Sequence, residues 1–595
     1  MTRFARLTCS AAIAALAAGA AASAQDADPR EGLAPGLYDA AEAAEAMELV
    51  HFIPSPEGFN DPAAITRRSM FMPDAPEPAY SPLALSNTDL AFDDGRVFMG
   101  SYHGFNVYDV TGEGEPEHIA SIVCPGGQGD VAVHGDLLFM SVEQNRARLD
   151  CGTQGAEGEV NEERFRGVRI FDISDLANPL QVGAVQTCRG SHTHTLVPHP
   201  TDENILYVYN QGTSGPRSGD ELEGCSTGSP DENPDTALYS IDIIKVELDN
   251  PGAAAIIDSP RIFEDPETGA VAGLWRGGRM GVATQRTAPT NHCHDITVYP
   301  EMNLAAGACS GNGILLDISD PENPVRIADT FDPDMAYWHA AIFNNDADAV
   351  VFTDEWGGGL GAMCHPDAPA EWGANYIATI EDGDFVGQSL FKIPNVQTQV
   401  ENCVAHNGSL VPVPGRDLLI QSWYQGGLSL IDFSDPANPV EIGFFDRGPV
   451  DAEELAVAGH WSAYWHNGRI YASEIARGLD VLRLSPSAHL SEAEIAAAEA
   501  VMYGLNNPQT QTRITWDDTA HVALSYLDQL DRAEALEASL SRAARTLLDR
   551  WADGSLSERS ARRVAETLTT AAEELEGLDA ERASVLAALL SRVAG

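Results

Sequence analysis

The sequence predicts an all-β protein, a seven-bladed β-propeller closed by an N-terminal strand and followed by a small C-terminal α-helical region. Three observations indicate this fold class. An Asp-x-Ser-Asp turn followed by Asn-Pro recurs along the chain, short apolar strands fill the intervals between its copies, and the composition changes after Pro486. Self-similar units of short strands are typical of propellers.

The recurring unit is clearest in three copies, at residues 171–179, 316–324 and 431–439. In each copy an apolar strand ends in Asp-x-Ser-Asp, and Asn-Pro closes the unit seven residues after the first Asp. Asp and Ser side chains that bond to the backbone, together with proline, favour a turn between two strands. Weaker copies end at Asp109 and near Asp242.

The unit that contains His406 shows four strands, at residues 406–411, 417–422, 427–433 and 440–445. Counting such units gives seven, with first strands near Thr88, Asp130, His194, His294, His339, His406 and Trp461. The seventh unit offers only three strands and ends at Leu484. We expect Met47–Phe52 to supply its fourth strand and close the ring, because closure leaves no unpaired edge between the first and last units.

The two ends of the chain differ from this repeat. Residues 1–24 predict a signal peptide, with a basic start, an alanine-rich apolar run and an Ala-Ser-Ala cleavage site. We predict an N-terminal segment at 25–46, the propeller at 47–486 and a helical domain at 487–595, where helical spacing is shared by Leu536, Leu540, Ala544, Leu547 and Trp551. No later apolar run is long enough to cross a bilayer, so we expect a periplasmic protein, or one secreted or held at the cell surface.

The charge of the chain limits its partners. The formal net charge is −54, and lysine occurs only at Lys245 and Lys392. A surface this acidic repels the phosphate backbone, so nucleic acid is excluded as an expected partner. The sequence also contains no P-loop, no GxGxxG after a strand and no GxSxG elbow. A small-molecule substrate or a protein partner is left open.

Eight cysteines follow the predicted signal peptide, and an even number in an oxidising compartment predicts disulfides. Several precede a first strand, and others lie in long insertions between second and third strands, two loop classes that emerge on one face of a propeller. We therefore predict the pairs Cys124–Cys151, Cys188–Cys225 and Cys364–Cys403, with Cys293–Cys309 as the remaining pair. A free Cys293 thiolate is the alternative, although its side chain should point away from the neighbouring histidines.

The Asp-Ile-Ser-Asp-Pro-x-Asn-Pro unit at residues 317–324, together with Gly126–Val133, resembles the LVIVD-repeat family of exported bacterial β-propellers. The resemblance covers roughly residues 47–484. It implies the fold and little about activity. A fainter likeness is to the selenium-binding-protein/methanethiol-oxidase group, whose propellers carry histidines at the central channel and are associated with copper. That likeness is one of architecture, so it assigns no residue of this chain.

The histidines are the strongest candidate site. His192 and His194, and again His292 and His294, lie two apart on a predicted strand, so each pair shares one face. First strands line the channel of a propeller. By alignment of the repeats, equivalent channel positions are held by His194, His294, His339 and His406, with His192 and His292 nearer the mouth. Converging imidazoles, beside Asp295 and one of His460 or His466, predict a site for copper, zinc, iron or manganese.

Other interpretations stand beside this one. A channel histidine is often a polar liner around trapped water. Asp354, Glu355 and Glu474 end second strands and are either acid/base or ligand-supporting groups or solvated turn residues. The leading hypothesis is a metal-dependent oxidoreductase or hydrolase acting on a small substrate, with copper and an oxidase placed first by the faint family likeness. The alternative is a non-catalytic interaction propeller, and the fold alone does not choose between them.

Overall fold

A computed structural model describes residues 27–60, 83, 85–112, 114–281 and 284–594. The predicted signal peptide at residues 1–24 lies outside the described residues. In chain order the strands are β1 Glu42–Glu45, β2 Met47–Pro54, β3 Asn87–Asp93, β4 Arg96–Ser101, β5 Gly104–Asp109, β6 Glu117–Val123, β7 Val131–His134, β8 Leu137–Val142, β9 Gly167–Asp172, β10 Leu180–Gln186, β11 Thr193–Pro198, β12 Ile205–Gln211, β13 Asp242–Glu247, β14 Ala255–Asp258, β15 Asp295–Tyr299, β16 Leu304–Cys309, β17 Asn312–Asp317, β18 Val325–Thr330, β19 Trp338–Phe343, β20 Ala349–Asp354, β21 Asn375–Glu381, β22 Asp384–Phe391, β23 Gly408–Val411, β24 Leu418–Ser422, β25 Leu428–Asp432, β26 Val440–Arg447, β27 His460–His466, β28 Arg469–Glu474, β29 Gly478–Leu484 and β30 Leu505–Asn506.

These strands form seven antiparallel sheets in the described part of the chain, which confirms the seven-bladed β-propeller. From the inner to the outer edge the sheets are β3-β4-β5-β6, β7-β8-β9-β10, β11-β12-β13-β14, β15-β16-β17-β18, β19-β20-β21-β22, β23-β24-β25-β26 and β27-β28-β29-β2. They are called sheets 1 to 7 below. Two of them gain a fifth strand, because β30 pairs with β3 in sheet 1 and β1 pairs with β26 in sheet 6.

The strand β2 pairs antiparallel with β29, where Met47 lies opposite Leu484. Its pairing carries a register shift between Leu49 and His51. The third and fourth strands of the other six sheets carry a shift as well, so β2 has the geometry of a fourth strand. The role in ring closure that we assigned to this strand stays a prediction.

The recurring turn is held by the side chains that the sequence indicated. Asp172 accepts hydrogen bonds from the backbone N–H (2.9 Å) and the hydroxyl (2.6 Å) of Ser174. Asn178 closes the turn by donating its side-chain amide to Asp175 at 3.0 Å. The copy at residues 431–439 repeats these bonds. The repeat therefore encodes the connection from a third strand to a fourth strand.

The core of the propeller lies between adjacent sheets. Sheets 5 and 6 pack through buried side chains such as Ile377, Leu419 and Trp423. All four predicted disulfides, Cys124–Cys151, Cys188–Cys225, Cys293–Cys309 and Cys364–Cys403, are present in the described chain. The alternative of a free Cys293 thiolate is therefore wrong.

Five α-helices follow the propeller in the described residues: α1 Glu492–Glu499, α2 Ala520–Arg532, α3 Ala538–Ala552, α4 Glu558–Ala572 and α5 Gly577–Val593. The helix α1 begins with a capping box formed by Ser491 and Glu494. Buried Glu494 also accepts a hydrogen bond from Arg416 at 3.0 Å, which joins α1 to sheet 6. Among the residues that the structure describes, no helix is long and apolar enough to cross a membrane.

Candidate metal centre

Backbone hydrogen bonds fix which histidines share a level in the channel. At the start of three inner strands a histidine donates its backbone N–H to the second strand: His192 to Gln211 (2.8 Å), His294 to Ala308 (2.8 Å) and His406 to Ser422 (3.1 Å). His339 lies within the register shift between Trp338 and Ala341 at the start of the inner strand of sheet 5, and the next residue, Ala340, donates its N–H to the Thr353 hydroxyl at 3.0 Å. His192, rather than His194, therefore shares the register of the other three, and our alignment of the first HxH pair was wrong by two residues.

Four imidazoles at this level form a continuous row. The ring centroids are 4.2 Å apart between His192 and His294, 3.8 Å between His294 and His339, and 4.2 Å between His339 and His406. The predicted gathering of His294, His339 and His406 is thus present in the structure. The row was not visible as such in the sequence, because its members come from four different sheets.

His194 lies away from the row. Its Nδ1 is 2.8 Å from the Ser141 hydroxyl and 3.2 Å from the Asp130 carboxylate. Since Asp130 and Ser141 belong to sheet 2, the His194 side chain faces the preceding blade. The sequence could not show this, because both histidines of an HxH pair share a face and only the register decides which one reaches the row.

Glu355 closes the row on one side. Its carboxylate oxygens lie 3.9 Å from Nε2 of His339 and 3.8 Å from Nε2 of His406. These separations are too long for hydrogen bonds. One ion at about 2.0–2.2 Å from each ligand atom spans them. Tyr424 donates its hydroxyl to Glu355 at 2.6 Å and so fixes the carboxylate.

Two groups of three residues bring their ligand atoms within 4.8 Å of one another: His294, Asp295 and His339, and His339, Glu355 and His406. Several of these atoms are buried and have no hydrogen-bond partner among the described residues. They are Nδ1 of His294, Oδ1 of Asp295, and Nε2 of both His339 and His406. Buried polar atoms are nearly always satisfied, so this cluster is a place where an ion or an ordered water is expected to bind.

The tautomer of His406 allows this residue to act as a metal ligand. Its Nδ1 donates to the carbonyl oxygen of Trp461, which leaves the lone pair on Nε2 directed at Glu355. Burial lowers the pKa of His406 to about 3 and the pKa of His339 well below its usual value. Burial also raises the pKa of Glu355. Without a cation, His339 and His406 are therefore neutral at pH 7, and each offers a free lone pair.

His192, at the end of the row, and His292, beside the row, are in different states. The Nδ1 of His192 lies 2.6 Å from Glu143, and its Nε2 lies 2.7 Å from the Gln128 amide. Burial opposes charge on His192, but the Glu143 carboxylate outweighs burial and raises its pKa. His292 bonds to the Tyr337 hydroxyl at 2.9 Å, and burial together with nearby Arg189 keeps its pKa well below normal. His292 thus supports the site through Tyr337.

The remaining candidates have structural partners. His460 pairs with Asp480 at 2.8 Å, and His466 stacks on Phe92 with ring centroids 4.6 Å apart. Asp354 accepts backbone hydrogen bonds at 2.9–3.0 Å from Ala336, Tyr337 and Gly373. Glu474 accepts hydrogen bonds from the backbone N–H groups of Gly459 and Ala476 and from the Arg477 guanidinium. Of the three strand-end acids, only Glu355 reaches the row.

A cavity of about 580 Å³ opens onto the row. Its lining includes His192, His294 and Glu355, and aromatic walls come from Tyr102, Tyr337, Tyr424 and Trp461. The turn Gly357-Gly358-Gly359 contributes another side. Gly359 has φ +71°, and a Cβ there would lie 2.2 Å from the Tyr424 hydroxyl. A largely apolar pocket with a few converging polar groups is the usual form of a small-molecule site.

The fold and this cluster define the class of protein: a β-propeller whose channel holds a His/Asp/Glu group able to bind a metal ion. The family comparison adds that a model of the LVIVD repeat matches residues 424–447, which include the third and fourth strands of sheet 6. The chain is therefore a seven-bladed propeller that carries an LVIVD repeat.

Comparison with solved structures finds a functionally unknown protein from Desulfotomaculum acetoxidans DSM 771. The two chains are 12% identical, the match covers 61% of this chain and 90% of the other, and the TM-score is 0.33. A search of curated protein sequences gives no match. The fainter likeness to the selenium-binding-protein group is unsupported by these comparisons, so it no longer favours copper.

Proposed function

We propose that this protein is an exported metalloprotein that binds one transition-metal ion with His294, His339, His406 and Glu355, and acts as an oxidoreductase on a small substrate. The observation that carries the proposal is the set of unsatisfied lone pairs in a buried row of imidazoles. Asp295 is the further oxygen ligand next to His294 and His339.

The chemistry of the ligand atoms limits which metal ions the site can bind. Imidazole nitrogen suits zinc, copper and iron, whereas carboxylate oxygen is a harder ligand. Two histidines and one carboxylate, as in His339, Glu355 and His406, are a donor set that iron(II) and zinc accept. We therefore place iron and zinc ahead of copper. A bound ion would supply Lewis-acid or one-electron redox chemistry at the base of the pocket.

The chain's own residues provide the rest of the site. Tyr424 orients Glu355, and the Trp461 carbonyl orients His406. The aromatic walls exclude water and suit a small, partly apolar molecule. The His192–Glu143 pair places a polarised imidazole at the edge of the pocket, within reach of a bound molecule.

Export is part of the proposal. Four disulfides are typical of an oxidising compartment, and the sequence of residues 1–24 has the pattern of a signal peptide.

The test is metal content by mass spectrometry on protein produced with its leader in a bacterial periplasm. The wild type is compared with a variant carrying His294→Ala, His339→Ala and His406→Ala, and with His194→Ala as a matched control from the same channel. We expect near-stoichiometric metal in the wild type and in the control, and none in the triple variant. Absence of metal from the wild type after reconstitution with iron, zinc and copper would refute the proposal and favour the interaction propeller.

If metal is found, the second step is activity. Metal-loaded protein is screened for oxidation of small alcohols, thiols and phenols, with oxygen uptake and an artificial acceptor as readouts. The variant Gly359→Ala, whose added Cβ collides with the Tyr424 hydroxyl at the pocket wall, should reduce turnover. Turnover that is the same in the triple histidine variant would place the activity elsewhere.

A further inference from the structure

The segment between α1 and α2 crosses the channel. Residues 505–511 make hydrogen bonds to the inner strands of six sheets, which are sheets 1, 2, 3, 4, 5 and 7. The strand β30 pairs with β3, and the Asn506 amide donates to the Trp465 carbonyl at 3.2 Å. In the sequence, this segment falls within the helical domain predicted at residues 487–595.

Both side chains and backbone groups of the segment make these contacts. The Asn507 side chain accepts from the Val133 N–H and donates to the Val133 carbonyl, both at 2.8 Å. The Gln509 carbonyl accepts from the Val298 N–H at 2.8 Å, and Gln511 returns its own N–H to the Val298 carbonyl at 2.8 Å. Thr510 donates to the Leu196 carbonyl at 2.7 Å.

The Gln511 side chain repeats the Asn507 arrangement on sheet 5. It accepts from the Phe343 N–H at 2.8 Å and donates to the Phe343 carbonyl at 3.1 Å. Each inner strand is an edge of its sheet, so its channel-facing N–H and C=O groups need partners. The segment supplies these partners in place of water, and its own Asn507 and Gln509 are buried as a result.

The contacts lie at one level along the channel. Phe92, Val133, Leu196, Val298, Phe343 and Trp465 each lie four residues beyond the level of the histidine row in their strands. At about 3.3 Å per strand residue, this level is roughly 13 Å from the row. The 580 Å³ cavity opens at the other side, where the inner strands begin.

Gln509 bridges part of this distance. Its amide donates to the carboxylate of Asp89 at 2.8 Å, and Ser462 donates to the same carboxylate at 2.7 Å. Asp89 and Ser462 occupy the strand position that Asp295 holds in sheet 4, directly after the histidine level. A void of about 40 Å³ lies beside the segment, next to sheet 6.

We infer that residues 505–511 are an intramolecular plug that closes the channel at the end opposite the pocket. The histidine row is then reached from the pocket side only, and the C-terminal region is a structural part of the channel rather than an appendage. The inference stands independently of any bound metal, because it rests on the contacts of the plug alone.

The test is hydrogen–deuterium exchange followed by mass spectrometry. The plug variant carries Asn507→Ala, Gln509→Ala and Gln511→Ala, and the matched control carries Glu566→Ala, Thr567→Ala and Thr570→Ala on the exposed face of α4. The reporter is the Val298 amide, because its partner is the Gln509 backbone carbonyl, which the substitutions leave in place.

We expect exchange at residues 295–299 to be at least tenfold faster in the plug variant and unchanged in the control. Losing one net hydrogen bond raises an opening equilibrium roughly fivefold, and the plug variant loses five. Exchange in β13 should stay constant. Exchange at residues 295–299 within twofold of the wild type in a folded plug variant overturns the inference.

If circular dichroism shows that the plug variant is unfolded, the single substitution Gln509→Ala is tested by hydrogen–deuterium exchange instead. It removes a single hydrogen bond, to Asp89, and should speed exchange at residues 295–299 by about fivefold. No change in that variant would mean that Gln509 does not hold the plug in the channel, and the inference would be rejected.

Discussion

The substitution His339→Ala tests the centre of the histidine row most directly. His339 is the member common to both groups of candidate ligands, and its ring lies between those of His294 and His406. Its Nε2 is buried without a hydrogen-bond partner among the described residues. The wild-type protein therefore tolerates an unsatisfied polar atom at this position unless a cation binds it.

The expected magnitude differs with and without metal. In metal-free protein, the cavity left by the lost ring costs about 2–5 kcal/mol, whereas removing a buried unsatisfied group returns about 1–3 kcal/mol. The two effects partly offset each other, so we expect the free energy of unfolding to fall by at most about 4 kcal/mol, and by about 1.5 kcal/mol at the midpoints of both ranges. Metal at 100 times its dissociation constant stabilises the wild type by about 2.7 kcal/mol, and the variant should lose this gain.

The assay is urea unfolding of both proteins with and without the metal identified by mass spectrometry. The quantity of interest is the metal-dependent difference, because the cavity term cancels in it. His194→Ala is the control: it also removes a buried channel imidazole, yet its partners are Ser141 and Asp130. The control should retain the metal-dependent gain. Equal stabilisation of His339→Ala and the wild type would refute the assignment of His339 as a ligand.

Three further predictions follow from individual contacts. Tyr424→Phe removes the hydrogen bond to Glu355 and should weaken metal affinity by about 10–100-fold in competition with a chelator; unchanged affinity would remove Tyr424 from the site. Burial lowers the pKa of His466 to about 4. Below pH 6.5 the unfolded chain therefore binds a proton at this residue, whereas the folded protein binds it only near pH 4. Stability should therefore fall as the pH drops through that window, by up to about 3 kcal/mol relative to His466→Phe, and parallel urea midpoints at pH 7 and 4.5 for the two proteins would contradict this. Replacing Cys188 and Cys225 together by serine opens a bridge across 37 residues and should lower the free energy of unfolding by about 2–4 kcal/mol, an effect that added reductant should reproduce in the wild type.

The sequence was sufficient for the blades because the repeat is a local feature. The Asp-x-Ser-Asp turn forms with side chains two and three residues apart, such as Asp172 with Ser174 and Asp175 with Asn178. Four disulfide pairs followed from the same count of strands and loops. The histidine level was partly predictable for the same reason, since His294, His339 and His406 precede recognisable first strands.

The features of the site that the sequence could not show depend on contacts between blades. The choice between His192 and His194 is a matter of strand register, and a shift of two residues keeps the same face. Glu355 was one of three acids at the ends of second strands, and only its place beside Tyr424 separates it from Asp354 and Glu474. The strand β1 was missed because the 25–46 segment contains no repeat.

The two ends of the channel differ in chemistry, although inner strands of the same sheets line both ends. At the level where the inner strands begin, side chains leave lone pairs unsatisfied at His294, His339 and His406. Four residues further on, the plug satisfies the inner edges of six of the seven sheets, including the strands that carry His294 and His339. The contrast between a sealed end and an open, ligand-ready end is therefore the strongest structural argument that the histidine row serves to bind an ion and a small molecule beside it.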